Sequence, residues 1–198
     1  MKRNSLILLV VAASLMFSTK ASAQWEAGGG IASFSHKGSD RVLKENIPGF
    51  YFGASYNLFF SPLEGLSFEP GAYIIHYGKT FTYIDGLAEK AYRANYIHIP
   101  LNIKYTYEVG DDLSLGVFTG PRFNTGLGGN MFSKGETFPA LRWMDAQWGL
   151  GIALTYAEAV QLRLGYDYGL TRAVRDRGGN KNQKVHRNSI LFGVAFLF

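Results

Sequence analysis

Hydrophobic and polar residues alternate along most of this chain, which is the pattern of β-strands with two unlike faces. In residues 160–170 every second residue is apolar. The residues between them are small, polar or charged: Gln161, Arg163, Gly165, Asp167 and Gly169. The segments 145–156 and 95–107 repeat the pattern. Beyond residue 23 no segment has the length and period of a membrane-spanning helix, so the pattern predicts an all-β chain.

Eight segments alternate in this way. They cover residues 25–35, 50–60, 66–77, 95–107, 113–124, 145–156, 160–170 and 190–198. A strand of about 9–11 residues is long enough to cross a bilayer when it is tilted. Pro100 lies in the middle of the fourth segment, and its missing N–H predicts a bulge or a gap in the hydrogen-bond ladder there.

The connections between these segments alternate in length. The connections after the second, fourth and sixth segments are short, with the sequences SPLEG, EVGDD and AEA, whereas the others are much longer. Short turns at one end and long loops at the other are typical of an outer-membrane barrel. We therefore predict an eight-stranded antiparallel transmembrane β-barrel with short periplasmic turns and long extracellular loops.

Side-chain volume predicts which face of each strand points outward. An eight-stranded barrel has little interior space. One face of the segments carries Trp, Phe, Tyr, Leu and Ile at most positions, and the other is rich in glycine and charge. We therefore expect the bulky face to lie in lipid and the small or polar face to line the lumen.

The N-terminus has the layout of a secretory signal peptide. Lys2 and Arg3 precede an apolar run at residues 6–17, and Ala21-Ser22-Ala23 offers a small-residue cleavage site. We predict a signal peptide at residues 1–23 and a barrel domain at residues 24–198. The chain has no cysteine, and removal of the signal leaves 17 basic against 15 acidic residues. This near balance gives no support to a nucleic-acid partner.

Polar residues on the predicted lumen face form one set with nearly balanced charge. The set is Glu26, Glu69, His98, Asn102, Lys104, Arg122, Asp145, Gln147, Gln161, Arg163 and Asp167. Charges in a narrow, partly desolvated lumen need partners, so these groups can form a hydrogen-bonded plug. The alternative is a conducting path lined by the same groups.

The connection before the last segment is strongly basic. Its sequence, TRAVRDRGGNKNQKVHR, has one acid, Asp176, among the basic residues Arg172, Arg175, Arg177, Lys181, Lys184 and Arg187. An extracellular loop of this kind could bind phosphates of outer-membrane lipid or lipopolysaccharide. The alternative is a solvated loop without a ligand.

The sequence offers little for catalysis. A lipid-modifying barrel enzyme would need a His with a Ser and an acid near the outer rim. Ser33, Ser35 and His36 are close in sequence, but strand alternation places both serines on the outward face. No dedicated acid accompanies them. The four histidines lack metal-ligand spacing, so we predict no metal, no cofactor and no enzymatic activity.

The chain ends on an apolar strand and a phenylalanine. Ile190, Val194, Phe196 and Phe198 in this strand resemble the C-terminal recognition signal of Gram-negative outer-membrane barrels. The resemblance implies delivery by the barrel assembly machinery.

A second resemblance concerns the middle of the chain. The segment YIHIPLNIKYTY is followed by a two-acid turn and by LSLGVFTGPRFN. This layout resembles the outer-membrane β-barrel family that includes PorT. The residues that carry the match are Tyr96, Ile99, Pro100, Leu101, Lys104, Tyr105, Gly120 and Pro121. PorT is linked to a secretion apparatus, so the resemblance implies a place in the cell envelope and no particular functional residue.

Together these features favour an integral outer-membrane barrel with a non-catalytic structural or interaction role. An accessory role in envelope assembly or protein secretion, with an envelope protein as partner, is the form of this role that we expect. Two alternatives stay open at this point: a narrow pore for ions or small solutes, and a lipid-modifying enzyme.

Overall fold

A computed structural model describes residues 23–37, 46–60, 63–82, 89–133, 136–139, 144–171 and 186–198. Residues 1–22 of the predicted signal peptide lie outside the described residues, and Ala23 is the first residue of the first strand. No helix within the described ranges is long and apolar enough to cross a membrane.

The described residues contain nine strands. They are β1 (Ala23–Lys37), β2 (Ile47–Phe59), β3 (Leu66–Thr82), β4 (Glu89–Glu108), β5 (Leu113–Ser133), β6 (Glu136–Pro139), β7 (Met144–Tyr156), β8 (Val160–Gly169) and β9 (His186–Leu197). Eight of them form the barrel wall, and the four-residue β6 pairs only with the upper part of β5. The eight predicted segments all correspond to wall strands.

The wall closes on itself. Each strand pairs antiparallel with its neighbours, and β1 pairs with β9 from Glu26↔Leu197 to Lys37↔His186. At the end with the short turns, the Phe198 N–H donates to the Trp25 carbonyl at 2.9 Å, and the Trp25 N–H donates back to Phe198 at 3.0 Å. A closed antiparallel barrel leaves no unpaired wall edge, so the predicted eight-stranded architecture is confirmed.

The outer face of the wall is apolar and aromatic, as predicted. Exposed aromatic residues lie near both ends: Trp25, Tyr105, Tyr107, Tyr156 and Phe196 near the turns, and Phe50, Phe52, Trp148, Tyr166 and Tyr168 toward the loops. Two aromatic belts of this kind mark the two interfaces of a membrane. The C-terminal residues Ile190, Val194, Phe196 and Phe198 also face outward.

The hydrogen-bond ladder has a gap at Pro100, one of the two outcomes predicted there. Pairs Pro70↔Leu101 and Tyr73↔His98 keep one register between β3 and β4, but the two residue pairs between them are unpaired. A similar gap on the other side of β4 lies between Pro100↔Arg122 and Ile103↔Thr119, opposite Pro121 of β5. Proline has no N–H to donate, so the ladder breaks without a change of register.

The second and third predicted loops are shorter than expected, because β3, β4 and β5 continue past the rest of the wall. Only residues 83–88 separate β3 from β4, and β6 adds a fourth strand to this projection. In an extended hairpin the backbone N–H and C=O groups form hydrogen bonds with one another, whatever the side-chain pattern is. The loss of apolar alternation beyond residue 77 therefore did not end the strand.

A β-bulge lies where this projection leaves the barrel wall. The register between β4 and β5 shifts between Asn95 and Tyr96, which leaves Leu127 without a partner on β4. Next to it Gly128 has a φ of 151°, a backbone conformation that residues other than glycine rarely adopt. The last wall pair of β5 with β7 is Thr125↔Met144, and beyond the bulge β5 pairs with β6 instead.

Candidate functional site

All eleven predicted lumen residues lie on the inner face of the wall. Ten of them are at most 6% exposed, and the side chain of Arg163 is 12% exposed. They share this face because strand parity places every second residue inside. The lumen is therefore the candidate functional site.

Arg163 on β8 is the centre of a charge cluster near the turn end. Its Nη1 pairs with Oε1 of Glu26, and its Nη2 lies 2.6 Å from Oε1 of Glu69. Lys104 Nζ lies 3.2 Å from Glu69 Oε2 and 3.9 Å from Glu26 Oε2. The four side chains come from β8, β1, β3 and β4, so the cluster joins opposite sides of the barrel.

Asn102 connects this cluster to a second one in the middle of the lumen. Its Nδ2 donates to Glu69 at 2.8 Å, and its Oδ1 accepts a hydrogen bond from Arg122 Nη1. Arg122 Nε in turn donates to Asp167 Oδ1 at 3.1 Å. Charged side chains that bond to one another in this way offset the desolvation that burial imposes on each.

The polar chain continues toward the loops. His98 Nδ1 and Asn124 Oδ1 are 2.7 Å apart, and Asn124 Nδ2 donates to Gln147 at 2.8 Å. Gln147 Nε2 donates to the Arg187 carbonyl at 2.7 Å. Arg187 Nη2 donates to Asp145 at 3.1 Å. Polar contacts therefore run along most of the lumen, from Glu26 to Asp145.

Arg187 is a correction to the sequence prediction. We expected it in the basic extracellular loop, but it belongs to β9, is 2% exposed and points into the lumen. Its guanidinium carbon lies 4.0 Å from the ring centre of Tyr96. The other basic residues of that loop, Arg172, Arg175, Arg177, Lys181 and Lys184, lie outside the described residues.

Arg187 also completes the charge balance of the lumen. The sequence prediction matched four acids, Glu26, Glu69, Asp145 and Asp167, with three bases. Arg187 is the fourth base, beside Lys104, Arg122 and Arg163. The described lumen therefore holds equal numbers of acidic and basic side chains, each with an ionic partner within 4 Å.

An apolar cluster packs inside the loop-end half of the lumen, which the sequence prediction missed. Its members are Ala32, Phe34, Ile47, Ile75, Tyr77, Ala94 and Tyr96. The rings of Phe34 and Tyr77 meet edge to face with centres 4.4 Å apart. Our expectation that bulky side chains all lie outside is wrong for this half. The sequence did contain a signal for this. Phe34 lies eight residues from the inward Glu26, and Tyr77 lies eight residues from the inward Glu69, so strand alternation places both rings on the inner face.

Phe118, outside the apolar cluster, is another inward aromatic residue that the sequence prediction missed. Its ring centre lies 4.7 Å from the guanidinium carbon of Arg163 and 5.8 Å from that of Arg122. Cations over an aromatic face are favourable, more so where water is excluded. Phe118 thus packs between the two arginines that organise the charge clusters.

A small cavity of about 50 Å³ remains between the charge clusters and the apolar cluster. Its wall includes Tyr51, Tyr73, Phe118, Glu26 and Asp167. Glu26 Oε2 and Asp167 Oδ2 are buried and accept no hydrogen bond from the protein. A water needs roughly 10–15 Å³ of such space and a few polar partners, so the cavity suits a few ordered waters.

Within the described residues, no group of three or more His, Asp or Glu side chains is arranged to hold a metal ion. Ser33 and Ser35 alternate with the buried Ala32 and Phe34, so their side chains point away from the lumen. The arrangement is suited to holding the barrel closed.

Known proteins resemble the chain in sequence pattern and in fold. A family model described as "Outer membrane protein beta-barrel domain" matches residues 5–198. No curated protein matches the sequence.

Solved outer-membrane barrels have a similar fold. Neisserial surface protein A is 15% identical, with a TM-score of 0.55, and the match covers 91% of this chain and 100% of that one. Ail, the attachment invasion locus protein of Yersinia pestis, is 13% identical, with a TM-score of 0.54 and coverage of 89% and 99%. OprG from Pseudomonas aeruginosa is 11% identical, with a TM-score of 0.50 and coverage of 90% and 97%.

Proposed function

Since the chain belongs to the outer membrane protein beta-barrel domain family and is an integral outer-membrane barrel, we propose that it works as a closed, non-catalytic barrel that acts by structure and interaction. The observation that carries this proposal is the filled lumen. Paired charges cross the turn-end half, and the apolar cluster closes the loop-end half.

The same observation disfavours a pore. A hydrated ion needs a continuous wet path, but the cavity between the two halves holds only about 50 Å³. Opening a path would separate buried ion pairs, and breaking one such pair costs about 3–5 kcal/mol.

The projection of β3, β4, β5 and β6 supports an interaction role. It extends a four-stranded antiparallel sheet beyond the wall at the loop end. With the short turns in the periplasm, this sheet stands outside the cell surface. Resemblance to the PorT-containing family favours the narrower proposal of an accessory to envelope assembly or protein secretion, with an envelope protein as partner. Delivery by the barrel assembly machinery through Ile190, Val194, Phe196 and Phe198 belongs to the same proposal.

We expect the barrel to leave the membrane in a complex. A tag placed in residues 172–185, gentle solubilisation and a mass measurement of the intact particle should give a mass above that of one barrel, with one partner in fixed stoichiometry. A matched variant in which a Gly-Ser turn replaces residues 131–139 should keep the barrel and release the partner.

A particle with the mass of one barrel plus detergent, in both proteins, would contradict the interaction role. Changed lipid A or phospholipid in cells that overproduce the barrel would instead support a lipid-modifying enzyme and remove the non-catalytic proposal.

A further inference from the structure

Arg93 lies at the base of the projection, and it differs from the other basic residues whose side chains the structure describes. Lys104, Arg122 and Arg187 are buried in the lumen, and Arg163 lies there beside them. Among the lysines and arginines whose side chains the structure describes, Arg93 alone is exposed. Its neighbour Ala94 is fully buried, so strand parity places Arg93 on the outer face of β4.

A short polar surface surrounds Arg93. His76 on β3 faces Asn95 on β4, and His76 Nδ1 lies 2.7 Å from Asn95 Oδ1. The His76 ring also lies beside Phe50, with ring centres 5.1 Å apart. We call His76, Arg93 and Asn95 the outer polar patch.

Glycines leave room for a ligand over this patch. Gly78 is the partner of Arg93 on β3, and Gly128 is the partner of Asn95 on β5. A Cβ added at Gly128 would meet no atom within 4 Å. Two of the residues that flank the patch, Gly78 beside Arg93 and Gly128 beside Asn95, therefore carry no side chain, and the space over Gly128 is open.

The patch lies at the loop-side end of the apolar outer surface. Two residues toward the turns, the pair Ile74↔Ile97 faces outward, and Ile74 is 42% exposed. An arginine on the lipid face is much more costly at the bilayer midplane than near an interface. Arg93 is therefore positioned at the level of the lipid headgroups.

We propose that the outer polar patch binds a phosphate group of the lipid that surrounds the loop end of the barrel. The ligand is a phosphorylated glycolipid of the outer leaflet, with its acyl chains along the Ile74–Ile97 strip. Arg93 supplies a planar fork of donors that matches phosphate oxygens in pairs. Asn95 Oδ1 faces His76, so the Nδ2 amide of Asn95 can serve as a second donor to the phosphate.

The test is a lipid titration of the purified full-length barrel, followed by native mass spectrometry. The probes are diphosphorylated lipid A and the same lipid with both phosphates removed. Charge-assisted phosphate contacts are strong, so Arg93→Gln should weaken binding of the diphosphorylated lipid about tenfold. Arg93→Lys keeps the positive charge but loses the planar fork of donors, so its affinity for the diphosphorylated lipid should lie between those of wild type and Arg93→Gln.

The dephosphorylated lipid should bind wild type and Arg93→Gln alike. Because Arg93 is exposed, the variant should keep the wild-type shift in gel mobility on heating, which reports a folded barrel. Unchanged binding of diphosphorylated lipid A by Arg93→Gln would overturn the proposal. A loss seen only in Arg172→Gln/Arg175→Gln would also overturn it, in favour of the basic loop.

Discussion

Replacing Arg163 with methionine is expected to destabilise the barrel by about 3–5 kcal/mol, the cost of leaving buried charges without their partner. Arg163 pairs with both Glu26 and Glu69, and neither carboxylate is exposed to solvent. Lys104 would be the remaining cation within 4 Å of them. The measurement is the free energy of unfolding from urea titrations in lipid vesicles, followed by tryptophan fluorescence.

A charge-neutral variant separates lost charge pairing from lost packing. Arg163→Met combined with Glu26→Gln removes one acid together with the base, so it should regain part of the lost stability. Leu164→Met, at the adjacent outward position, conserves volume and should change the free energy by less than about 1.5 kcal/mol. If Arg163→Met were as stable as wild type, the charge clusters would not hold the barrel together.

The second large effect is expected for Gly149→Ala, which should lower the free energy of unfolding by about 1–3 kcal/mol through overpacking. A Cβ at this inward position would overlap the Arg122 guanidinium. That group cannot move freely, because it donates to Asp167 at 3.1 Å and to Asn102. Displacing it would break the link between the two charge clusters.

Gly165 is the matched control for Gly149. It lies on the adjacent strand with the same inward parity and lines the cavity. A Cβ there would meet Phe118 Cζ at 3.8 Å and the Leu150 carbonyl at 3.9 Å, which are ordinary contacts. Gly165→Ala should therefore be neutral or more stable by about 0.4–1 kcal/mol. Equal losses in both variants by urea titration would show that strand glycines matter for reasons other than the Arg122 position.

The barrel and most of its lumen were predictable because strand parity is strict in a closed wall. In β7 and β8 every position follows the alternation, so Gln147, Arg163 and Asp167 could be placed inside from the sequence. A shift of one residue would turn every side chain to the other face, which makes the alternation a strong constraint.

Arg187 was misplaced because its surroundings carry no alternation. Residues 175–184 are all polar or glycine, so nothing in the pattern shows where β9 begins. The residues that fix Arg187 are distant in sequence: it pairs with His36 across the seam and bonds to Asp145 on β7. Long-range pairing of this kind leaves no local signal.

The apolar cluster was missed for a different reason. The lumen is not uniformly narrow, because glycines create space for aromatic rings at particular heights. Gly30 pairs with Gly193 on the inner face of β1 and β9, and a Cβ at Gly193 would overlap the Tyr51 hydroxyl. Which glycine stands opposite which ring depends on register, and register between distant strands is not visible in one sequence.

If paired charges and the apolar cluster close the lumen, the barrel should not conduct ions. The most direct measurement is the current through single wild-type barrels in a planar bilayer, with detergent-only and Arg163→Met samples beside it. We expect wild-type protein to give no more current than detergent alone. Steady wild-type current steps whose size changes in Arg163→Met would contradict it, because the ions would then pass through the lumen.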